Sequence, residues 1–487
     1  MITRLKINGF KNLNDVDIRF GPFTCIAGTN AVGKSNLFDA IRFLSDLAAS
    51  KELVLAARSV RSEGQRSSDI RDIFYKSGEV YADRMSFEVE MIIPREAFDD
   101  LGQKAVASIT TVRYHLILRY KKDEDSFLEI EREELAPITQ TDAQRDLYFD
   151  AKQKWEKSVI TGRRTTKFIS TVVQNKEEIV RLHQDQTKGN TTNRILAKLP
   201  RTVLSTVTAE YPTACVVRHE MRSWAMLQLE PSALRRSDDF ERRKTAKLDA
   251  DGAHIPATLY RLQNENPEMD IYQQLANRLS ELVEDVREIN IDKDEKRELL
   301  TLMVGYKDGS FFPAHSLSDG TLRFLGLTVL ELDANSGGLI CLEEPENGIH
   351  PKKINAILKL LQDIATDPTI PVDNENPLRQ VILNTHSPLV VQQIPEDSLL
   401  LAEPWEGMNE DKKKRIKTIH FVPLPNTWRT KIPGEKTATV SMGDLLVYLG
   451  MPWHIESNSP PSESSSSSKK RVIDRSDVSQ LKLWSSD

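Results

Sequence analysis

Residues 24–36 read Thr-Cys-Ile-Ala-Gly-Thr-Asn-Ala-Val-Gly-Lys-Ser-Asn, and within them Gly28, Gly33, Lys34 and Ser35 satisfy the spacing G-x-x-x-x-G-K-[ST]. The two glycines allow a close backbone approach that a Cβ would block, so successive N–H groups can point inward at phosphate oxygens. Lys34 brings a positive charge toward the β- and γ-phosphates, and Ser35 offers a hydroxyl to Mg²⁺. The helix from Asn36 aims its positive dipole end at the anion. This is the chemistry of an ATP site with Mg²⁺, and Gly28, Thr29, Asn30, Gly33, Lys34, Ser35 and Asn36 are its candidate ligands. The apolar strand before the loop and the amphipathic helix after it (Leu37, Phe38, Ala40, Ile41, Leu44) distinguish it from an ordinary glycine turn.

A second set of residues completes the chemistry. Gly338 to Leu342 form a buried strand that ends in two acids, Glu343 and Glu344. In an α/β protein with a phosphate loop, that placement supplies a Mg²⁺ ligand, Glu343, and a base for the attacking water, Glu344. Residues 379–388 form another apolar strand ending in Thr-His-Ser-Pro, which puts His386 at a strand carboxyl end, where ligand sites in open α/β sheets gather. Residues 316–325 place Ser318 and Gly320 just before an apolar-periodic helix. Such a start binds anions, although Ser-Asp-Gly is also an ordinary N-cap and turn.

These residues must be positioned by a sizeable α/β fold. The chain has 487 residues, enough for several domain-sized pieces, and its net charge of −6 announces no global basic field. Three cysteines, with no C-x-x-C pair, argue against a disulfide framework or a cysteine-rich zinc site. No signal core opens the chain and no run approaches the roughly 18 apolar residues that span a bilayer, so the expectation is a cytoplasmic protein with no membrane partner.

In order, residues 1–20 alternate as two strands around a polar turn, and residues 87–130 alternate as an antiparallel meander; together 1–135 form a first ATPase lobe. Residues 136–225 are rich in Lys, Arg, Glu and Gln and read as a helical insertion, with 142–157 and 165–184 as exposed helices. An amphipathic helix covers Ile271 to Val286, within a second lobe over 226–400. Residues 401–455 are a C-terminal extension with a strand near Ile416–Phe421, and the Ser-rich 456–487 cannot bury a core and is expected to be disordered. Basic clusters at Arg235 to Lys244 and Lys412 to Arg415 are either solvated faces or phosphate-backbone contacts on DNA.

Gly28 to Asn36, Leu317 to Leu325, Glu343 to Pro351 and Thr385 to Pro388, in this order, resemble the ABC-type ATPase heads of the SMC, RecF and OLD class, as does the opening Ile-Asn-Gly-Phe-Lys-Asn-Leu. The resemblance covers about residues 1–45 and 225–395. It implies a mixed sheet with a P-loop core plus an antiparallel meander, and hydrolysis of ATP to ADP and phosphate. By the same resemblance Ser318 and Gly320 reach the γ-phosphate held by a second copy, Asn347 lies in the loop between two sites, and His386 is the switch histidine. A glutamine loop is also implied, with Gln65 its candidate. The chain departs from many relatives in having Glu343 where they have Asp, which implies slow hydrolysis, and Asp319 for the second signature glycine. Neither a long coiled coil nor an acidic nuclease cluster after His386 is present in the sequence. Standalone heads of this type resemble the ATPase subunits of the anti-phage systems Septu and PARIS. That implies a head-to-head homodimer working with a separate effector such as a nuclease; the alternative is a RecF-like clamp on DNA.

Overall fold

The computed structural model describes residues 1–30, 32–60, 69–121, 127–174, 177–185, 191–196, 199–244, 246–334, 336–409, 414–433, 437–450 and 470–475. It is a mixed α/β fold built on two large sheets with a helix layer between them. The central sheet has six strands in the order Ala225–Leu227, Gly338–Glu343, Arg379–Thr385, Phe23–Ala27, Leu399–Asn409 and Lys414–Pro423. The first five run parallel and the last is antiparallel. Phe23–Ala27 and Arg379–Thr385 are buried along their whole length, which is why they read as continuous apolar runs.

Side-chain alternation on the phosphate-loop strand divides the molecule into two cores. Ile26 faces the helix Lys34–Ala48, whose Leu37, Phe38, Ile41 and Leu44 are buried. Cys25 and Ala27 face the helices Asp319–Leu332 and Ile354–Ile364 on the other side. The cysteines Cys25, Cys215 and Cys341 are all buried free thiols. Beyond the helix Lys34–Ala48 lies an eight-stranded antiparallel sheet that includes Ile2–Asn8, Arg84–Ile92, Thr111–Lys121 and Phe127–Pro137. Phe10, Phe43 and Phe87 pack with ring centroids 5.5–5.9 Å apart where the sheet meets the helix. A smaller antiparallel sheet contains Val286–Asp294, Leu299–Tyr306 and Phe311–Pro313.

Four sequence expectations are corrected. Residues 165–184 are not helical: Ile169–Gln174 and Glu177–His183 are strands that extend the antiparallel sheet from Phe127–Pro137, joined by Thr191–Ile195. Their charged residues suggested a solvated helix, but Ile169, Val172, Val173, Ile179 and Val180 are β-branched and suit a pleated, half-buried surface. Short helices do occupy Gln140–Asp146 and Gln153–Val159. The helix from Ile271 ends at Ser280, and Val286 begins a strand instead. Residues 399–423 complete the central sheet rather than beginning an appendage, with Leu400 paired to Ile26. Within the Ser-rich tail, residues 470–475 are ordered: Val472 is fully buried and Arg475 pairs with Glu396 at 3.0 Å. The remainder of the expected disordered tail lies outside the described residues.

One buried acid staples the insertion to the sheet. Glu133 is inaccessible to solvent and accepts bonds from the backbone N–H groups of Val203 (2.7 Å) and Leu204 (2.8 Å). Burial pushes its carboxyl up to about 7 against those bonds. An acid with a raised folded pKa holds its proton more tightly when folded. Its stabilising contribution is therefore full below pH 4.5 and is lost as pH rises through about 7. Urea melts at several pH values should show wild type losing on the order of 3 kcal/mol relative to Glu133→Gln across this window. Parallel pH profiles for the two proteins would refute it.

Candidate functional site

Parallel pairing brings the carboxyl ends of the central strands to one edge, in the register Leu227 beside Leu342, Glu343 beside Asn384 and Thr385 beside Ala27. The chemistry-bearing residues follow at those ends, so sheet geometry alone gathers them. A cleft of about 620 Å³ opens there, lined by Asn30, Gly33, Lys34, Ser35, Asn36, Glu343 and Glu344 among the residues anticipated from sequence. Gly28, Thr29 and His386 do not line it but bond Lys34 and Glu344, which do, whereas Ser318 and Gly320 neither line it nor bond these two.

The phosphate loop is tightly specified. A Cβ on Gly28 would come within 2.8 Å of the Ala402 carbonyl oxygen, and Gly33 has φ +106° with a would-be Cβ 2.0 Å from Asn12 Nδ2. Lys34 Nζ donates to the carbonyls of Gly28 (2.7 Å) and Thr29 (2.9 Å), which places the ammonium inside the loop. Burial lowers the Lys34 pKa, partly offset by the charges of Glu344 and Glu346. Asn12 braces the loop: its Nδ2 donates to the Val32 carbonyl (3.0 Å) and its Oδ1 accepts from Asn36 Nδ2 (2.8 Å). Beside it, Lys11 pairs with the buried Asp39 at 2.7 Å, tying the opening turn to the loop's helix.

The acidic strand ends in a backbone turn that aims Glu344. This residue has φ +47°, a conformation unusual for a side chain with a Cβ, held by Glu344 N–H donating to the Asn384 carbonyl at 3.0 Å. Its Oε1 accepts from His386 Nδ1 at 2.7 Å and its Oε2 from Asn347 Nδ2 at 2.9 Å. Burial pushes the Glu344 carboxyl up, but the Asn347 and His386 bonds and the charge of Lys34 together hold it below the ordinary glutamate value. It is therefore ionised at neutral pH, the state a base requires. Next to it Glu346 is buried and its pKa is raised by that burial; Thr385 Oγ1 donates to its Oε1.

Ser318 caps the helix Asp319–Leu332, accepting from Thr321 N–H at 3.3 Å, and is exposed on the outer surface. Gly320 is buried against the following loop: a Cβ there would lie 2.5 Å from the Gly348 carbonyl oxygen. Arg235, from the basic cluster considered for DNA, donates to the Leu317 carbonyl (3.0 Å) and to Asp319 (2.6 Å). It is engaged in bracing the turn around Ser318. Of the second cluster, Lys412 and Lys413 lie outside the described residues, as does Gln65.

The cleft also holds residues the sequence reading did not single out, among them Asn12, Gln228, Arg323 and Asn384. Gln228 directly follows the strand that pairs with the acidic strand. Its sequence context, a glutamine after Trp224-Ala-Met-Leu, is too short an apolar run to mark a strand.

A phosphate loop, a paired acidic strand and a third strand ending in histidine, arranged on one parallel sheet, define a P-loop nucleotide-binding head. The chain belongs to the family described as "AAA domain, putative AbiEii toxin, Type IV TA system", which matches residues 23–160 and 192–392, well over half of its length. No curated protein matches it. Among solved structures it is similar to an SMC head bound to the C-terminal winged-helix domain of ScpA, with 12% identity, a TM-score of 0.44, and 87% of this chain and 98% of that one covered. It is also similar to the SMC head domain from Thermotoga maritima, with 13% identity, a TM-score of 0.36, and 87% and 98% covered. A third is an SMC head with an extended coiled coil bound to the C-terminal domain of ScpA from Pyrococcus furiosus, with 10% identity, a TM-score of 0.40, and 87% and 96% covered. Among the described residues, no helix is long and apolar enough to cross a membrane.

Proposed function

We infer that this protein binds and hydrolyses ATP, pairs head to head on it, and acts as a switch for a separate effector in bacterial anti-phage defence, with a nuclease the effector class proposed. The observation that carries the reading is the convergence of Lys34, Ser35, Glu343 and Glu344 on one cleft. Lys34 and the loop N–H groups bind the triphosphate, Glu344 takes the proton of the attacking water, and His386 holds Glu344 in place through its Nδ1 bond. Ser35 and Glu343 supply a hydroxyl and a carboxylate to the same cleft, a donor set that suits Mg²⁺ together with phosphate oxygens and water. When bound, Mg²⁺ neutralises charge on the transferring phosphoryl group.

Pairing of heads is proposed from the resemblance of Leu317 to Leu325 to a signature segment, and Ser318 being exposed and outside its own cleft leaves it open to a second copy. Gln228 lines the cleft after the strand that pairs with the acidic strand and offers an amide to a bound nucleotide.

Mixing two inactive variants tests the shared site. Lys34→Ala and Ser318→Arg proteins should each be nearly inactive, and an equal mixture should recover about a quarter of wild-type phosphate release, because half the pairs are mixed and each holds one intact site. No recovery in the mixture, with no ATP-dependent rise in assembly mass, would exclude head-to-head pairing. Absence of wild-type turnover at micromolar protein would exclude hydrolysis.

A further inference from the structure

The geometry points to Arg323 as a positioning residue that couples the Ser318 helix to Glu344 within one head, an inference that rests on the proposed role of Glu344 as base. Arg323 lies one turn into the helix capped by Ser318. Its Nε donates to the Leu229 carbonyl at 3.3 Å, beside Gln228, and its Nη1 donates to the Asn347 carbonyl. Asn347 in turn donates from Nδ2 to Glu344 Oε2, and Glu344 Oε1 accepts from His386. A continuous series of bonds therefore runs from the cleft wall at Leu229 through Arg323 and Asn347 to the carboxylate and the histidine.

A second contact makes the connection stiff. The first turn of the helix and the loop after the acids touch backbone to backbone at Gly320 and Gly348, with only 2.5 Å between a would-be Gly320 Cβ and the Gly348 oxygen. Neither segment can shift alone without losing the Arg323 bond or colliding at Gly320. Displacement of Ser318 toward another copy's phosphate is thereby passed to Glu344 of its own head. Arg323 suits this because Nε and Nη1 of one planar guanidinium donate in two fixed directions and so hold the Leu229 and Asn347 carbonyls at a set separation. The coupling joins the readiness of one head's base to that head's engagement of its partner's nucleotide.

Arg323→Ala and Arg323→Lys test the assignment by two readouts on the full chain. Turnover number should fall about tenfold to a hundredfold in Arg323→Ala, with KM for ATP within about twofold of wild type, because the base is misplaced while the phosphate loop is untouched. Arg323→Lys should recover part of the loss. Amide exchange in the nucleotide-free protein should rise over residues 344–349 in Arg323→Ala and stay unchanged over residues 28–36. If Arg323→Ala loosens the whole chain, the lysine variant carries the exchange test. Unchanged exchange over 344–349, or a loss confined to KM, overturns the assignment. A wild-type protein without turnover whose exchange still responds at 344–349 would sink the hydrolysis reading and leave the Arg323 coupling standing.

Discussion

Glu344→Gln is expected to lower ATP turnover about a hundredfold to ten-thousandfold while leaving ATP binding intact, the range set by losing a positioned general base. The amide is nearly isosteric and can still accept the Asn347 bond made at 2.9 Å, so the loop keeps its place. What disappears is the proton acceptor. ATP should then accumulate in the bound state, and if heads pair on ATP the variant should be trapped as the larger assembly. Single-turnover phosphate release and mass measurement with ATP would show both. The wild-type pH profile follows from the same group: since Glu344 is held below the ordinary glutamate value, the acid-side loss of turnover attributable to it lies below that value. Turnover in Glu344→Gln within a few-fold of wild type would remove Glu344 from the role of base.

Lys34→Ala is expected to weaken ATP binding on the order of a hundredfold, because a charge-assisted contact to phosphate from a buried ammonium is lost. The fold should tolerate it. The ammonium is held by two carbonyl oxygens of its own loop, at 2.7 and 2.9 Å, and burial already disfavours its charge. Removing it leaves the Gly28 and Thr29 carbonyls unpaired, with a stability change of about 1 kcal/mol. Nucleotide titration and a urea melt on the same sample separate the two effects. A large stability loss would mean that the lysine is structural, and undiminished ATP affinity would mean that the cleft is not where the triphosphate sits.

The parts of this site that could be read from sequence are those whose chemistry is contiguous. Gly28 to Asn36, and Glu343 with Glu344, each follow a strand long enough to announce itself, so spacing and position coincide. Asn12, Gln228 and Arg323 reach the cleft through tertiary placement, and although Asn12 and Arg323 sit in motifs the sequence shows, nothing in those motifs assigns them to the cleft. Ala225–Leu227 is only three residues long, and its identity as the edge strand of the central sheet depends on pairing with residues more than a hundred positions away. The error over 165–184 came from composition outweighing β-branched side chains, a preference that strands with a half-exposed face make hard to see. Arg235 shows the converse: a basic run invited an interaction with polyanions, while its guanidinium is committed to Leu317 and Asp319.

The opening turn also touches the far end of the chain. Thr418 Oγ1, on the last strand of the central sheet, donates to the carbonyl of Asn14 at 2.7 Å and accepts from its N–H at 3.3 Å, beside the Asn12 that braces Gly33. Leu399–Asn409 meanwhile covers the open flank of Phe23–Ala27. During synthesis, the ribosome has therefore to deliver the chain through Thr418 before the turn around Asn12 and Asn14 acquires its permanent neighbours. Truncated products lack this support and leave a hydrophobic β-edge uncovered, so quality control meets them as sticky fragments.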